Sequence, residues 1–159
     1  VLTADHTNQV TLPEYANAKG LFEVPIAFYS PQWEKGELRK IGTISQTDIM
    51  PSVLAYLGYN KPFFAFGENA LTQDKQHPWA IYYNYPVYQL LSDSLLIQFD
   101  GKTISAVYNY DTDPLLQHDI TNQVNIDQEE EFLKAYIQQY IYRLTTNQLT
   151  IKTNGSSSR

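Results

Sequence analysis

The chain has 159 residues, enough for one domain with one core. Seventeen acids against eleven Lys and Arg leave a net charge of −6, which argues against a protein that grips a nucleic-acid backbone through a basic face. Aromatic residues at 14% and charged residues at only 18% argue against intrinsic disorder, and the absence of Cys removes disulfides, thiolate zinc sites and cysteine nucleophiles.

Four of the acids, Asp127, Glu129, Glu130 and Glu131, sit together, so the negative excess is mostly local. No apolar run approaches the roughly 18 residues of a membrane span, and no basic stretch leads into an apolar one as in a signal peptide. The chain opens on Val1-Leu2-Thr3-Ala4 without an initiator Met. The expectation is a piece of a longer protein, with any targeting or anchoring segment upstream.

Val1–Ala4 reads as the end of a buried strand that runs into Asp5-His6. Residues 7–20, with Pro13 and Gly20, read as a loop. Phe22–Tyr29 reads as a second buried strand, and Pro25, which lacks an N–H, places it at an edge or a bulge. Residues 30–44 hold Pro31, Gly36 and Gly42 and form another loop. Ser45 and Asp48 have the spacing of a capping box, with Thr47 as an alternative N-cap. The helix they open carries the stripe Ile49, Val53, Leu54 and Leu57 and stops at Gly58.

Residues 60–78 read as irregular. Trp79–Tyr85, Leu95–Phe99 and Ile104–Tyr110 are rich in β-formers. Turn signals lie at Asn84-Tyr85-Pro86, Ser92-Asp93-Ser94 and Asp100-Gly101-Lys102. Residues 79–110 are therefore expected to form an antiparallel meander of three or four strands, the last hairpin closed by a primed two-residue turn. Asp127–Thr146 is the clearest helix. Phe132, Leu133, Tyr136, Ile137, Tyr140, Ile141 and Leu144 give it a wide apolar face, and its acids fall in the first turn, beside the positive end of the macrodipole. Residues 153–159 are expected to be a disordered tail.

Asp5-His6 is the leading candidate for chemistry. If Val1–Ala4 is a parallel strand, the pair lies just past its carboxyl end, where open α/β sheets gather ligands. A carboxylate beside an imidazole offers two ligands to Zn²⁺ or Mn²⁺, and a bound cation could polarise a phosphoryl or sulfuryl oxygen. The alternative is a turn carboxylate with a solvated His beside it. His77 and His118 read as loop histidines. Asp111-Thr112-Asp113 reads as a turn, and Glu129–Glu131 as a helix N-terminus. The Tyr residues of 79–110 read as cross-strand pairs, with a sugar- or lipid-facing surface as the alternative.

Four segments in order carry a resemblance. Leu2-Thr3-Ala4-Asp5-His6 resembles the (T/S)-(A/S/G)-D-H segment of the alkaline phosphatase/sulfatase superfamily. Phe22 to Pro31 resembles its (R/H)VPxxxYxP strand, Ser45 to Gly58 its QxDIxPTLLxLLG helix, and Phe66 to Leu71 its FGxxLL segment. The most similar branch is the lipoteichoic acid synthase-like, membrane-anchored phosphoglycerol transferases. Many members carry Gly after the His, where Thr7-Asn8 follows here.

The resemblance covers roughly residues 1–71. It implies that Asp5 and His6 bind a divalent metal (Mn or Zn, or else Mg or Ca). The nucleophile and the other ligands would lie on an upstream part of the same polypeptide. It further implies an α/β fold, the C-terminal part of a three-layer sandwich, over residues 1–152, with 79–110 as a small antiparallel sheet and 127–146 as a closing helix. The implied parent is an extracytoplasmic enzyme acting on a phosphate ester, with a sulfatase as the alternative. Its membrane association would come only through the upstream segment, and this chain would be inactive by itself. From the residues alone, a non-catalytic glycan- or peptide-binding module is the remaining alternative.

Overall fold

The computed structural model describes residues 1–8, 11–33, 41–72 and 78–151. His77, Gly36 and the 153–159 tail lie outside the described residues. The fold is mixed α/β, with a four-stranded antiparallel sheet and a C-terminal helix. Among the described residues, no helix is long and apolar enough to cross a membrane.

The meander forms as the β-rich runs and turn signals predict. Strands β3 (Trp79–Asn84), β4 (Val87–Ser92), β5 (Leu95–Phe99) and β6 (Ile104–Asn109) pair in chain order. β4 lies between the first two turn signals. The last hairpin departs from a two-residue primed turn. Its loop is 100–103, with Gly101 at φ +95°. The Asp100 carboxylate accepts from the N–H groups of Lys102 and Thr103 and so holds the longer loop closed. The register shifts by one residue after Gln98, and Ser105 is the extra residue of the bulge.

Period-two alternation gives this sheet two different faces. One face carries Leu90, Ile97, Phe99 and Val107, all buried, and packs on Leu133 of α2 (Asp127–Thr145) and on Ile126. The other carries the cross-strand row Tyr82, Gln89, Gln98 and Ala106. Gln89 is buried there, and its Oε1 accepts from Gln98 Nε2 at 3.1 Å. The outer edge of β6 is covered by a loop: Val107 N–H donates to Asp119, and Ile120 N–H donates back to the Val107 carbonyl.

Helix α2 starts where the acids place it. Asn125 Oδ1 accepts from Asp127 N–H, and Glu130 pairs with Lys134 one turn on. The wide apolar face is only partly used. Leu133 is fully buried and Tyr136 and Ile137 are half-buried, whereas Phe132, Tyr140, Ile141 and Leu144 are exposed. Phe132 keeps an edge contact with Trp79, and Tyr140 a tilted one with Phe66.

The N-terminal half corrects two strand expectations. Val1–Ala4 yields only β1 (Leu2–Thr3), which pairs antiparallel with β2 (Ile26–Ala27), and Leu2 is 71% exposed. The strand is neither parallel nor buried, because no described element packs a second layer over it. Phe22–Tyr29 shrinks to β2. Gly20–Phe22 winds into a 3₁₀ turn, and Pro25 just before β2 cannot donate to a ladder.

The Ser45–Asp48 box is present. Ser45 Oγ accepts from Thr47 N–H, and Asp48 Oδ2 accepts from Ser45 N–H at 2.9 Å. Ser45 is the cap and Thr47 is not; the Thr47 hydroxyl donates to Ser45 Oγ instead. The 3₁₀ turn Gln46–Asp48 runs into α1 (Ile49–Tyr56), and Gly58 ends it at φ +66°. The inward face of α1 is not the apolar stripe. Asp48, Pro51 and Ser52 are buried, while Leu57 is 69% exposed.

Those polar groups clamp the segment 66–70. Asp48 Oδ1 accepts from Glu68 N–H at 2.7 Å, and Ser52 Oγ accepts from Ala70 N–H at 2.9 Å. Gly67 lies so close that a Cβ there would sit 2.2 Å from the Thr47 carbonyl oxygen. The Ser45–Gly58 and Phe66–Leu71 segments are thus two sides of one hydrogen-bonded contact. The described residues of 1–72 that are buried are Gly20, Ser30, Asp48, Pro51, Ser52 and Ala70, none a large apolar side chain. This half joins the sheet through Phe22 stacked on Tyr82, Tyr82 Oη donating to the Ala18 carbonyl, and Asn17 donating to the Pro114 carbonyl.

Two substitutions test this packing. Leu133→Ala should lower the unfolding free energy by about 2–5 kcal/mol in a urea titration, as for other fully buried leucines. Gly67→Ala should cost about 1–3 kcal/mol by overpacking, read as a loss of thermal stability, because its Cβ would press on the Thr47 backbone.

Candidate functional site

Asp5 and His6 follow β1 after Ala4, on an open groove of about 1570 Å³ that also touches Gln46, Tyr82, Asp93 and Asp111. The pair does not stand at the carboxyl rim of a parallel sheet. It stands at the end of a two-residue antiparallel ribbon. Both side chains are open to solvent, 89% for Asp5 and 79% for His6.

Their geometry is nonetheless specific. Asp5 Oδ1 accepts from the His6 backbone N–H at 3.0 Å. His6 Nδ1 lies 2.7 Å from the Thr7 carbonyl oxygen. A carbonyl can only accept, so Nδ1 carries the proton and the neutral ring keeps its lone pair on Nε2. That Nε2 lies 3.7 Å from Asp5 Oδ1. The Thr7 carbonyl, and after it the Asp5 carboxylate, push the His6 pKa above its ordinary 6.5.

A divalent cation fits the pair as donors. Zn–N and Zn–O bonds are both about 2.1 Å, so two donors on one tetrahedral ion stand roughly 3.4 Å apart. The 3.7 Å separation is a small side-chain rotation from that. A metal-bound His ordinarily gives its other N–H to a carbonyl or a carboxylate, as His6 does. Among the described residues, no group of three or more His, Asp or Glu could hold an ion.

Of the other acids and histidines that the sequence singles out, those among the described residues make local contacts. Asp113 Oδ2 accepts from the N–H groups of Gln117 and His118, with the His118 ring 3.4 Å away. These bonds, the His118 N–H first, hold the Asp113 carboxyl below its usual range. Asp111 accepts from the Ser94 hydroxyl. Glu129 and Glu130 belong to the first turn of α2. Tyr83 and Tyr88 are directly opposed across β3 and β4, with ring centroids 4.7 Å apart, as the cross-strand reading expects.

Sequence reasoning missed Gln46. Its Nε2 donates to the Ala4 carbonyl at 2.7 Å, just before the acid–imidazole pair. Only its place at the start of a capped turn could have drawn notice, and a surface Gln there is ordinarily solvated. A scan against protein-family models finds no match to the chain, and searches of curated proteins and of solved structures find none either.

The His6 ring gives a pH prediction. Its raised pKa means that Nε2 is protonated below the midpoint and free to ligate above it, so cation uptake should rise with pH through that midpoint. Nuclear magnetic resonance titration of the ring should place the midpoint above 6.5. Asp5→Asn should lower it without abolishing the elevation, because the Thr7 carbonyl is the larger cause. A midpoint at or below 6.5 in the unaltered chain would contradict this geometry.

Proposed function

We propose that Asp5 and His6 are two ligands of a divalent-cation site, and that the protein is the C-terminal part of a metal-dependent enzyme that transfers or cleaves a phosphate ester. The observation that carries this reading is the His6 ring. Its Nδ1 proton is committed to the Thr7 carbonyl, and its Nε2 lone pair lies 3.7 Å from the Asp5 carboxylate. One imidazole and one carboxylate suit Mn²⁺ or Zn²⁺ better than the all-oxygen preference of Mg²⁺ or Ca²⁺. Bound there, a cation would supply Lewis-acid polarisation of a phosphoryl oxygen and stabilise an attacking oxygen. The chain's own part is to hold Asp5 and His6 on one side of the groove, with the Nε2 atom unprotonated.

The attacking hydroxyl and the remaining ligands belong, in this reading, to an upstream part of the same polypeptide. Burial supports it. The described residues of 1–72 bury no large apolar side chain, and Leu2, Leu21 and Phe22 lie exposed. A second layer of polypeptide over β1 and β2 would cover them. That is the arrangement of an alkaline phosphatase-like three-layer sandwich, with the four-stranded sheet as its small antiparallel subdomain and α2 as its closing helix. The resemblance of residues 1–71 favours the phosphoglycerol transferase-like branch, working outside the cytoplasm on a glycerophospholipid or glycan and anchored through the upstream segment. Alone, the chain turns nothing over, because two ligands do not complete a coordination shell.

Calorimetric titration of the chain with Mn²⁺ or Zn²⁺ should give weak uptake only, abolished by Asp5→Ala and by His6→Ala. Uptake indifferent to both substitutions overturns the ligand assignment, and tight uptake by the chain alone overturns the shared site. A polypeptide extended upstream should release glycerol phosphate from a glycerophospholipid in the presence of Mn²⁺. His6→Ala should cost it at least ~100-fold, because changing even the groups that orient a ligand costs about 10–100-fold.

A further inference from the structure

Resting on that metal reading, we infer that Gln46 is the positioning residue of the Asp5–His6 pair. β1 supplies two residues to a two-stranded ribbon, too little to set where the next two side chains stand. Among the described residues, neither Asp5 nor His6 has a side-chain hydrogen bond beyond an adjacent residue. Their place is therefore set by the residues on either side. Gln46 Nε2 holds the Ala4 carbonyl before them, reaching across the sequence from the start of α1. The Thr7 hydroxyl, after them, donates to the Leu21 carbonyl at 2.8 Å.

Gln46 is the stiffer of the two anchors. Leu21 lies in a 3₁₀ turn that has no side-chain cap. Gln46 lies inside the Ser45–Asp48 box, whose Asp48 is buried and bonded on to Glu68. Fixing the Ala4 carbonyl fixes the Ala4–Asp5 peptide plane, because the peptide unit is rigid. That plane sets the direction in which Asp5, and then His6, enters the groove that Gln46 also lines. The amide suits this task chemically. It gives a hydrogen-bond donor without adding a positive charge that would repel a cation at the neighbouring pair, as Lys or Arg would.

Gln46→Met keeps the length of the side chain and removes the donor. In the metal-free chain it should drop the backbone amide order parameters of Asp5 and His6 from rigid values near ~0.85 to below ~0.6. Gln46→Glu, which keeps the shape and turns the donor into an acceptor, should loosen them likewise and covers the case in which the Met variant does not fold. Mn²⁺ alone is the binding probe. The concentration that half-broadens the His6 ring signals should rise at least about fivefold in Gln46→Met, while the thermal midpoint stays within that of the unaltered chain. Order parameters and Mn²⁺ response both unchanged would overturn the inference. A loss of thermal stability with both readouts unchanged would overturn it too, by making Gln46 structural. If the unaltered chain shows no Mn²⁺ broadening at His6, the metal reading fails, and the order parameters decide the positioning role independently.

Discussion

A carboxylate taken out of water must have its lone pairs filled, or it costs several kcal/mol. Asp48 is 1% exposed and fills them with backbone N–H groups from two sides, Ser45 in its own turn and Glu68 twenty residues on. Ser52 extends the same contact by accepting from Ala70 and donating to the Asp48 carbonyl. The start of α1 is thereby locked to the 66–70 segment. Gln46 rides on that locked turn and reaches Ala4, so the place of the acid–imidazole pair traces back to the buried carboxylate of Asp48. Breaking one partner of such a contact leaves a buried charge or a buried N–H unpaired, which costs more than the bond itself contributes.

The displaced ionisable groups divide by the sign of their displacement. Asp100, Asp113 and Asp119 are all held below the usual carboxylate range chiefly by N–H and hydroxyl donors in tight turns. Each closes a loop, and Asp119 also caps the edge of β6. His6 is displaced upward by an acceptor, the Thr7 carbonyl, and by the Asp5 charge. The aspartates' bonds each close a tight turn through one carboxylate oxygen. The His6 bond uses Nδ1 and leaves the Nε2 lone pair on the exposed side of the ring, the property on which the proposed site draws. Tyr82 is also pushed upward, by burial, but its hydroxyl is spent on the Ala18 carbonyl.

The sheet and α2 were readable because each local signal agrees with its tertiary setting. β-branched and aromatic runs alternate with turn residues, and the acids of α2 fall where its N-terminus needs them. Gly58 and the Ser45–Asp48 box were readable for the same reason. The strand expectations for Val1–Ala4 and Phe22–Tyr29 departed because apolar composition reports what a segment could bury and does not say what is there to bury it. Asp100-Gly101 showed a hairpin, but its length was set by the Asp100 side chain bonding two residues further on. The inward face of α1 was hidden by its chemistry, since Asp48 and Ser52 carry no periodic apolar signal. Gln46 was hidden because its partner is a backbone carbonyl remote in sequence, which no spacing rule reaches.

The two halves of the molecule are held by different forces. The sheet and α2 bury leucine, isoleucine, valine and phenylalanine side chains against one another. The N-terminal half is held by hydrogen bonds among small and polar groups, with Leu2, Leu12, Leu21 and Leu57 turned outward. Hydrogen bonds in a partly wet setting contribute about 1 kcal/mol each, while a fully buried leucine contributes roughly 2–3 kcal/mol. The half that carries Asp5 and His6 is thus the more easily opened half, and the clamp at Asp48 sets its shape more than its stability. Apolar burial over β1 and β2 is the contribution this half lacks. A polypeptide layer seated there would bring its own polar groups to the rim of the same groove, so completing the core and completing the ligand set of the proposed site would be one event.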